Sequence, residues 1–132
     1  MIVGVGVDIC AVQRMREVTE RHGPRFLDRV FVPGEQELFA PLHNSAHRVA
    51  ARFAAKEATM KALGTGRARG VTFLDIQVLS LPSGQPTIRL QGRAAEVAAS
   101  LGANRVHVSL SHERDHAIAF VILESDGTVG CP

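Results

Sequence analysis

Three charged residues have types and spacings that could do chemistry together: Asp8, Glu57 and Lys61. Glu57 and Lys61 lie four apart in RFAAKEATMKALGTG, residues 52 to 66, so they share a face if the stretch is helical. Val49 and Phe53, in the same four-residue series, mark that face as turned toward the core. A lone carboxylate one turn further on is costly to bury. One reading pairs Glu57 with Lys61 along the helix, which contributes about 0.2–0.5 kcal/mol. That pairing explains neither the inward position of Glu57 nor the presence of Asp8. The other reading brings Asp8 and Glu57 together, where two carboxylates repel unless a cation joins them. Oxygen-only donors favour a hard ion, Mg²⁺ over Zn²⁺. Mg²⁺ on one or two carboxylates completes its shell with waters and substrate phosphates. Lys61 would then direct an ammonium at those phosphates. The residues alone leave both readings open. The 15 basic side chains include just two lysines, Lys56 and Lys61, and both fall in this stretch. A compact ammonium suits a crowded phosphate.

Two other segments invite functional readings. GTGRARG, residues 64 to 70, is glycine-rich, but it follows a helix and matches neither GxGxxG nor a P-loop. It reads equally as a helix stop with a loop or as a turn beside a phosphate site. SLSHERDHA, residues 109 to 117, holds Ser109, Ser111, His112, Glu113 and His116 at a strand end. A Ser–His hydrolase would need a nucleophile elbow, and GxSxG is missing. Zinc is disfavoured by the lack of HExxH or a cysteine partner.

The elements that must position these residues follow from periodicity. Residues 2 to 9 alternate as a strand: Val3, Val5, Val7 and Ile9 face one way, and Ile2, Gly4, Gly6 and Asp8 the other. Two strand glycines invite close approach by a backbone or a ligand. A helix is expected over 11–22, stopped by Gly23-Pro24, then short helices over 25–31 and 35–42 with a break at Pro33-Gly34. Asn44 and Ser45 are N-cap candidates for a helix over 46–63, and Gly64 is its stop. Strands are expected over 71–80, 86–91, 105–111 and 117–123, with a helix over 93–101. The fold class is α+β, with helices packed on a small, mainly antiparallel sheet.

Composition bounds the rest. A chain of 132 residues with 45% hydrophobic and 21% charged residues makes one domain, read as 1–124 with a frayed tail over 125–132. Six Phe with no Trp or Tyr offer no stacking platform, and a net charge of +2 is small, so nucleic-acid binding is not expected. No apolar run approaches the roughly 20 residues of a membrane span. MIVGVGVDI is apolar but lacks a basic start and contains Asp8, so it is not read as a signal peptide. Cys10 and Cys131 form no CxxC pair and read as free thiols of a reducing cytoplasm.

Taken together, GVGVDI, RFAAKEATMKALGTG and VSLSH resemble, in order and spacing, the signature blocks of the 4′-phosphopantetheinyl transferases, over about residues 1 to 124. The resemblance is to the short, single-unit form. It implies transfer of phosphopantetheine from coenzyme A to a serine hydroxyl of apo acyl carrier protein, with release of adenosine 3′,5′-bisphosphate, in support of fatty acid biosynthesis. It implies Asp8 and Glu57 as Mg²⁺ ligands, and Lys61 and His112 as contacts to the coenzyme A phosphates. Arg52, Gly64, Thr65 and Gly66 would line the nucleotide. A homotrimer with coenzyme A between subunits is implied too, with Pro86 reaching a neighbour's nucleotide. Glu57, Glu35 or a metal-bound water would take the serine proton. Arg14, Arg21 and Arg25, spaced by seven and four, would line one face of helix 11–22 and its continuation. That is a docking face for an acidic carrier protein. Two alternatives use the same residues: a metal-dependent phosphohydrolase, and a non-catalytic coenzyme A or nucleotide-binding module.

Overall fold

A computed structural model of the chain describes residues 1–38 and 45–127. Strand β1 (Ile2–Ala11) leads into helices α1 (Val12–His22), α2 (Pro24–Val30) and α3 (Pro33–Glu37), then the long helix α4 (Ser45–Leu63). A 3₁₀ turn (Phe73–Asp75) precedes β2 (Ile76–Ser80) and β3 (Pro86–Leu90). Helix α5 (Gly92–Ser100) and strands β4 (Arg105–His112) and β5 (His116–Glu124) follow. The strands form a three-stranded antiparallel sheet in the order β1-β5-β4 and a separate antiparallel pair, β2-β3. The α+β architecture expected from periodicity is the one observed.

Helix α4 lies on the three-stranded sheet, and glycine is the reason it can lie so close. A Cβ on Gly6 would overlap the Ala58 carbonyl and come within 2.8 Å of the Ala62 nitrogen; one on Gly4 would overlap the Ala62 carbonyl. The close approach anticipated at these glycines is therefore by a helix backbone. Ala58 and Ala62 present the matching small side chains. Cross-strand neighbours share a face, so Ala117, Ala119, Val121 and Leu123, opposite Cys10, Asp8, Gly6 and Gly4, are buried under α4.

The other sheet face is open. Val5, Val7, Ile9, Ile118 and Phe120 remain 40 to 61% exposed. From Val49 to Leu63 every residue of α4 is buried except Glu57 and Lys61. A helix covered nearly all round is a core element, and these two residues mark where it reaches the surface.

Several boundaries differ from expectation for local reasons. Pro33-Gly34 opens α3 instead of breaking a helix, as the fixed φ of proline suits a first helical turn. The strand expected over 71–80 begins at Ile76, because the Asp75 carboxylate accepts the Thr72 N–H at 3.1 Å and holds the 3₁₀ turn. Gly23, with φ +48°, separates α1 from α2, so Arg25 is not on a continuation of α1. Residues 39–42 of the expected third helix, the N-cap candidate Asn44, Cys131 and residues 128–132 of the tail lie outside the described residues. Of the tail's first residues, Ser125 N–H donates to the Met1 carbonyl at 2.8 Å, and Asp126 N–H donates to Asn104 Oδ1 at 3.0 Å.

Candidate active site

The glycine face of β1 delivers Asp8 to the flank of α4, two residues beyond Gly6. There Lys61 Nζ donates to Asp8 Oδ1 at 2.9 Å and to the Val7 carbonyl at 3.1 Å. Glu57 stands one helical turn before Lys61, on the same flank of α4. Burial, and after it the Asp8 carboxyl, push Glu57 above its ordinary range. Lys61 is raised because it donates to Asp8. Arg67 in the glycine-rich loop sits 3.3 Å from Glu57 Oε1. Thus Lys61 pairs with the strand carboxylate, not with Glu57 along the helix. Two close carboxylates with cations beside them resemble a site for a divalent ion, and the donors are all oxygen, which suits Mg²⁺. Among the described residues no group of three or more His, Cys, Asp or Glu could hold a metal.

The loop after α4 begins with a left-handed glycine stop. Gly64, at φ +78°, lets its N–H reach the Lys61 carbonyl at 3.0 Å while Thr65 N–H reaches Met60 at 3.1 Å. This is the paired pattern of a Schellman end. Thr65 is buried, and its hydroxyl donates to the Gly66 carbonyl at 2.9 Å.

Arg52, Pro86 and His112 occupy a different place. With His47, Arg48, Ser80 and Leu110 they line a cleft of ≈ 530 Å³ between the start of α4, the β2-β3 hairpin and the end of β4. Arg52 donates to Ser80 Oγ at 3.3 Å, and its buried Nε has no partner. Burial, then the neighbouring Arg48, lower its pKa. His112 stands 5.6 Å from the His47 ring, centroid to centroid, and His47 Nε2 donates to the Arg114 carbonyl at 3.0 Å. The register partner of His112 is the buried Ala117, so His112 lies on the helix side of the sheet. At 3.6 residues per turn, Arg52 and Lys61 stand about 180° apart around α4. The structure therefore brings Asp8, Glu57 and Lys61 together, and Arg52, Pro86 and His112 together, on opposite flanks of one helix.

Glu35 and Lys56 belong to neither group. Both are 0% exposed, joined at 2.8 Å. Lys56 also donates to the carbonyls of Val30 (2.6 Å) and Phe73 (3.0 Å) and lies over the Phe31 ring. Glu35 accepts the N–H groups of Val32 and Val78, both at 3.0 Å. Burial lowers the Lys56 pKa against the pull of Glu35. Lys56, grouped with Lys61 as a phosphate cation, is instead a core strut, and Glu35 has no open path to a substrate hydroxyl.

Arg14, Arg21 and Arg25 are exposed on α1 and α2. Arg14 lies 5.5 Å over the Phe53 ring. Arg25 lines a small cleft with His22, Phe26 and Arg29. Sequence reasoning missed Arg48, although its four-residue spacing from Arg52 signals a shared face. It also missed Arg67, for which a loop arginine ten residues from Glu57 gives no signal.

Residues 4–121 match the family model described as the 4'-phosphopantetheinyl transferase superfamily. The chain is 48% identical to the holo-[acyl-carrier-protein] synthase of Koribacter versatilis over 124 residues, covering 94% of this chain and 99% of that protein. Its fold is similar to the crystal structure of holo-[acyl-carrier-protein] synthase from Neisseria meningitidis (TM-score 0.86, 34% identity, 95% and 100% coverage). It is also similar to that of the Helicobacter pylori enzyme in complex with coenzyme A (TM-score 0.80, 31% identity, 91% and 99% coverage). With blocks, fold and coverage in agreement over nearly its whole length, the chain belongs to the 4′-phosphopantetheinyl transferase superfamily.

Proposed function

We propose that the chain, as one transferase unit over residues 1–124, moves 4′-phosphopantetheine from coenzyme A to a serine hydroxyl of apo acyl carrier protein. The observation that carries this reading is the Asp8–Glu57 carboxylate pair with Lys61 donating to Asp8, in a chain of this family. Asp8 and Glu57 would hold Mg²⁺, which when bound neutralises the diphosphate and polarises phosphorus toward attack. Lys61, 54% exposed, turns from Asp8 to the phosphates. Arg52 and His112, with Pro86 beside them, bind the nucleotide end, and Gly64, Thr65 and Gly66 border it. The serine oxygen forms a bond to the phosphorus that carries pantetheine. The bond from that phosphorus to the bridging oxygen breaks, and adenosine 3′,5′-bisphosphate leaves with the electron pair. The serine proton moves toward the Asp8–Glu57 side, since Glu35 is sealed in the core. Positioning and charge stabilisation supply most of the rate in phosphoryl-type transfer, so few groups suffice.

Because the two residue groups flank α4 on opposite sides, one coenzyme A is best served where two copies meet. The open apolar face of β1 and β5 supports burial against another copy, and the homotrimer of the short family form satisfies both needs. Among the described residues no helix is long and apolar enough to cross a membrane. The reading places the enzyme in the cytoplasm, serving the carrier protein of fatty acid biosynthesis and docking it on Arg14, Arg21 and Arg25. The test is to mix the protein with apo carrier protein, coenzyme A and Mg²⁺ and weigh the carrier. Phosphopantetheine on the carrier serine supports the reading; phosphate-ester hydrolysis without carrier modification, or binding without product, overturns it.

A further inference from the structure

Arg67 lies in the loop after α4, with a guanidinium nitrogen 3.3 Å from Glu57 Oε1 and the group 4.9 Å from the Phe73 ring centroid. Its side chain is 66% exposed, so it reaches across open surface to an acid that is 23% exposed. Lys61 makes the equivalent contact to Asp8 at 2.9 Å. Each carboxylate of the pair thus already has a cation of the protein's own. The two cations differ in support: Lys61 is on the rigid α4, whereas Arg67 is on a loop with positive φ at Gly66, Arg69 and Gly70.

We propose that Arg67 is a resident counter-ion of Glu57, which a divalent cation must displace to bind. This rests on the metal reading of Asp8 and Glu57. A carboxylate oxygen shared with a guanidinium is a poorer metal ligand, and Phe73 gives the guanidinium a flat apolar surface that holds it in place. The contact keeps two close carboxylates from facing each other without compensation, and it sets an internal competitor at the metal site. Exposed ion pairs contribute about 0.2–1 kcal/mol, so removing this competitor should tighten metal binding by about 1.4- to 5-fold.

The probe is Mn²⁺ alone, read by electron paramagnetic resonance of the free ion, with neither coenzyme A nor carrier protein present. Wild type, Arg67→Ala, Arg69→Ala and Asp8→Asn are compared at one ionic strength. Arg69 carries the same charge on the same loop without pairing with Glu57, so Arg69→Ala reports the generic effect of a lost positive charge. The expected result is tighter Mn²⁺ binding for Arg67→Ala than for wild type and Arg69→Ala, with binding lost in Asp8→Asn. Equal tightening in Arg67→Ala and Arg69→Ala, or no tightening in Arg67→Ala, overturns the counter-ion role while the metal site stands. Wild-type binding that Asp8→Asn leaves intact overturns the metal reading itself, and this proposal with it.

Discussion

Lys56 Nζ lies 2.8 Å from Glu35 Oε1, with both side chains wholly shielded from solvent. The pair bridges α3 to α4, and its remaining bonds reach the end of α2, the 3₁₀ turn and β2. Taking two charges out of water is costly, and what offsets that here is the saturation of both groups by backbone partners. Removing one partner leaves the other buried and unpaired. Glu35→Ala should therefore destabilise the fold by about 3–5 kcal/mol. Urea unfolding measures this loss. Activity per folded molecule should survive in the milder Glu35→Gln. A Glu35→Gln protein of wild-type stability but without transfer activity would return Glu35 to the role of proton acceptor.

The Asp8–Glu57 pair should show itself in pH-dependent stability without metal. Glu57 is held above its ordinary 4.5, so the folded state favours its protonated form. The stabilisation is fully present below the unfolded value and is lost as pH rises through the raised folded value. Asp8→Asn removes the neighbour and should flatten that part of the profile, giving a higher Tm than wild type in metal-free buffer near neutral pH. In the transfer assay Asp8→Ala and Glu57→Ala should each lose more than about 100-fold, beyond the loss typical of residues that only support metal ligands. Near-full activity of either variant across a Mg²⁺ titration would remove both from the metal site.

Of the two lysines, Lys61 is the exposed one. A charge-assisted contact contributes roughly 1.5–3 kcal/mol, so Lys61→Ala should weaken coenzyme A binding or its reaction by about one to two decades. Calorimetric titration with coenzyme A in Mg²⁺ buffer gives the number. Unchanged binding and turnover would confine Lys61 to its contact with Asp8.

The open sheet face predicts assembly. Val7 and Phe120 face each other across β1 and β5 and are 48% and 42% exposed. Val7→Glu or Phe120→Glu puts a carboxylate in that surface and should yield monomers by light scattering, with transfer activity falling alongside. A fully active monomer of the unaltered protein would sink the reading that the site is shared between copies.

For the carrier-protein face, Arg21→Glu should raise the KM for carrier protein and leave coenzyme A binding nearly unchanged, since rim charges act mainly on encounter. Added salt should weaken the wild type more than the variant, as the Debye length is about 8 Å at physiological ionic strength. An unaltered KM and salt dependence would move the docking face away from α1.

Much of this molecule is written in local patterns. The alternation of β1, the long helix ended by Gly64 and the alternation of β4 are short-range signals, legible because side-chain direction repeats every two or 3.6 residues. The chemical types of Asp8, Glu57 and Lys61 were legible for the same reason: Glu57 and Lys61 share a helix face, and Asp8 shares a strand face with two glycines. Only the tertiary structure decided what those faces meet. Lys56 and Lys61 look alike in the sequence, yet stand about 140° apart around α4. That rotation puts one in the core against Glu35 and the other at the surface beside Asp8. The grip of Arg67 on Glu57 and the separation of Arg52 and His112 from Lys61 likewise depend on how loops and strands pack around α4. Such contacts join residues far apart in the chain, and no local period encodes them.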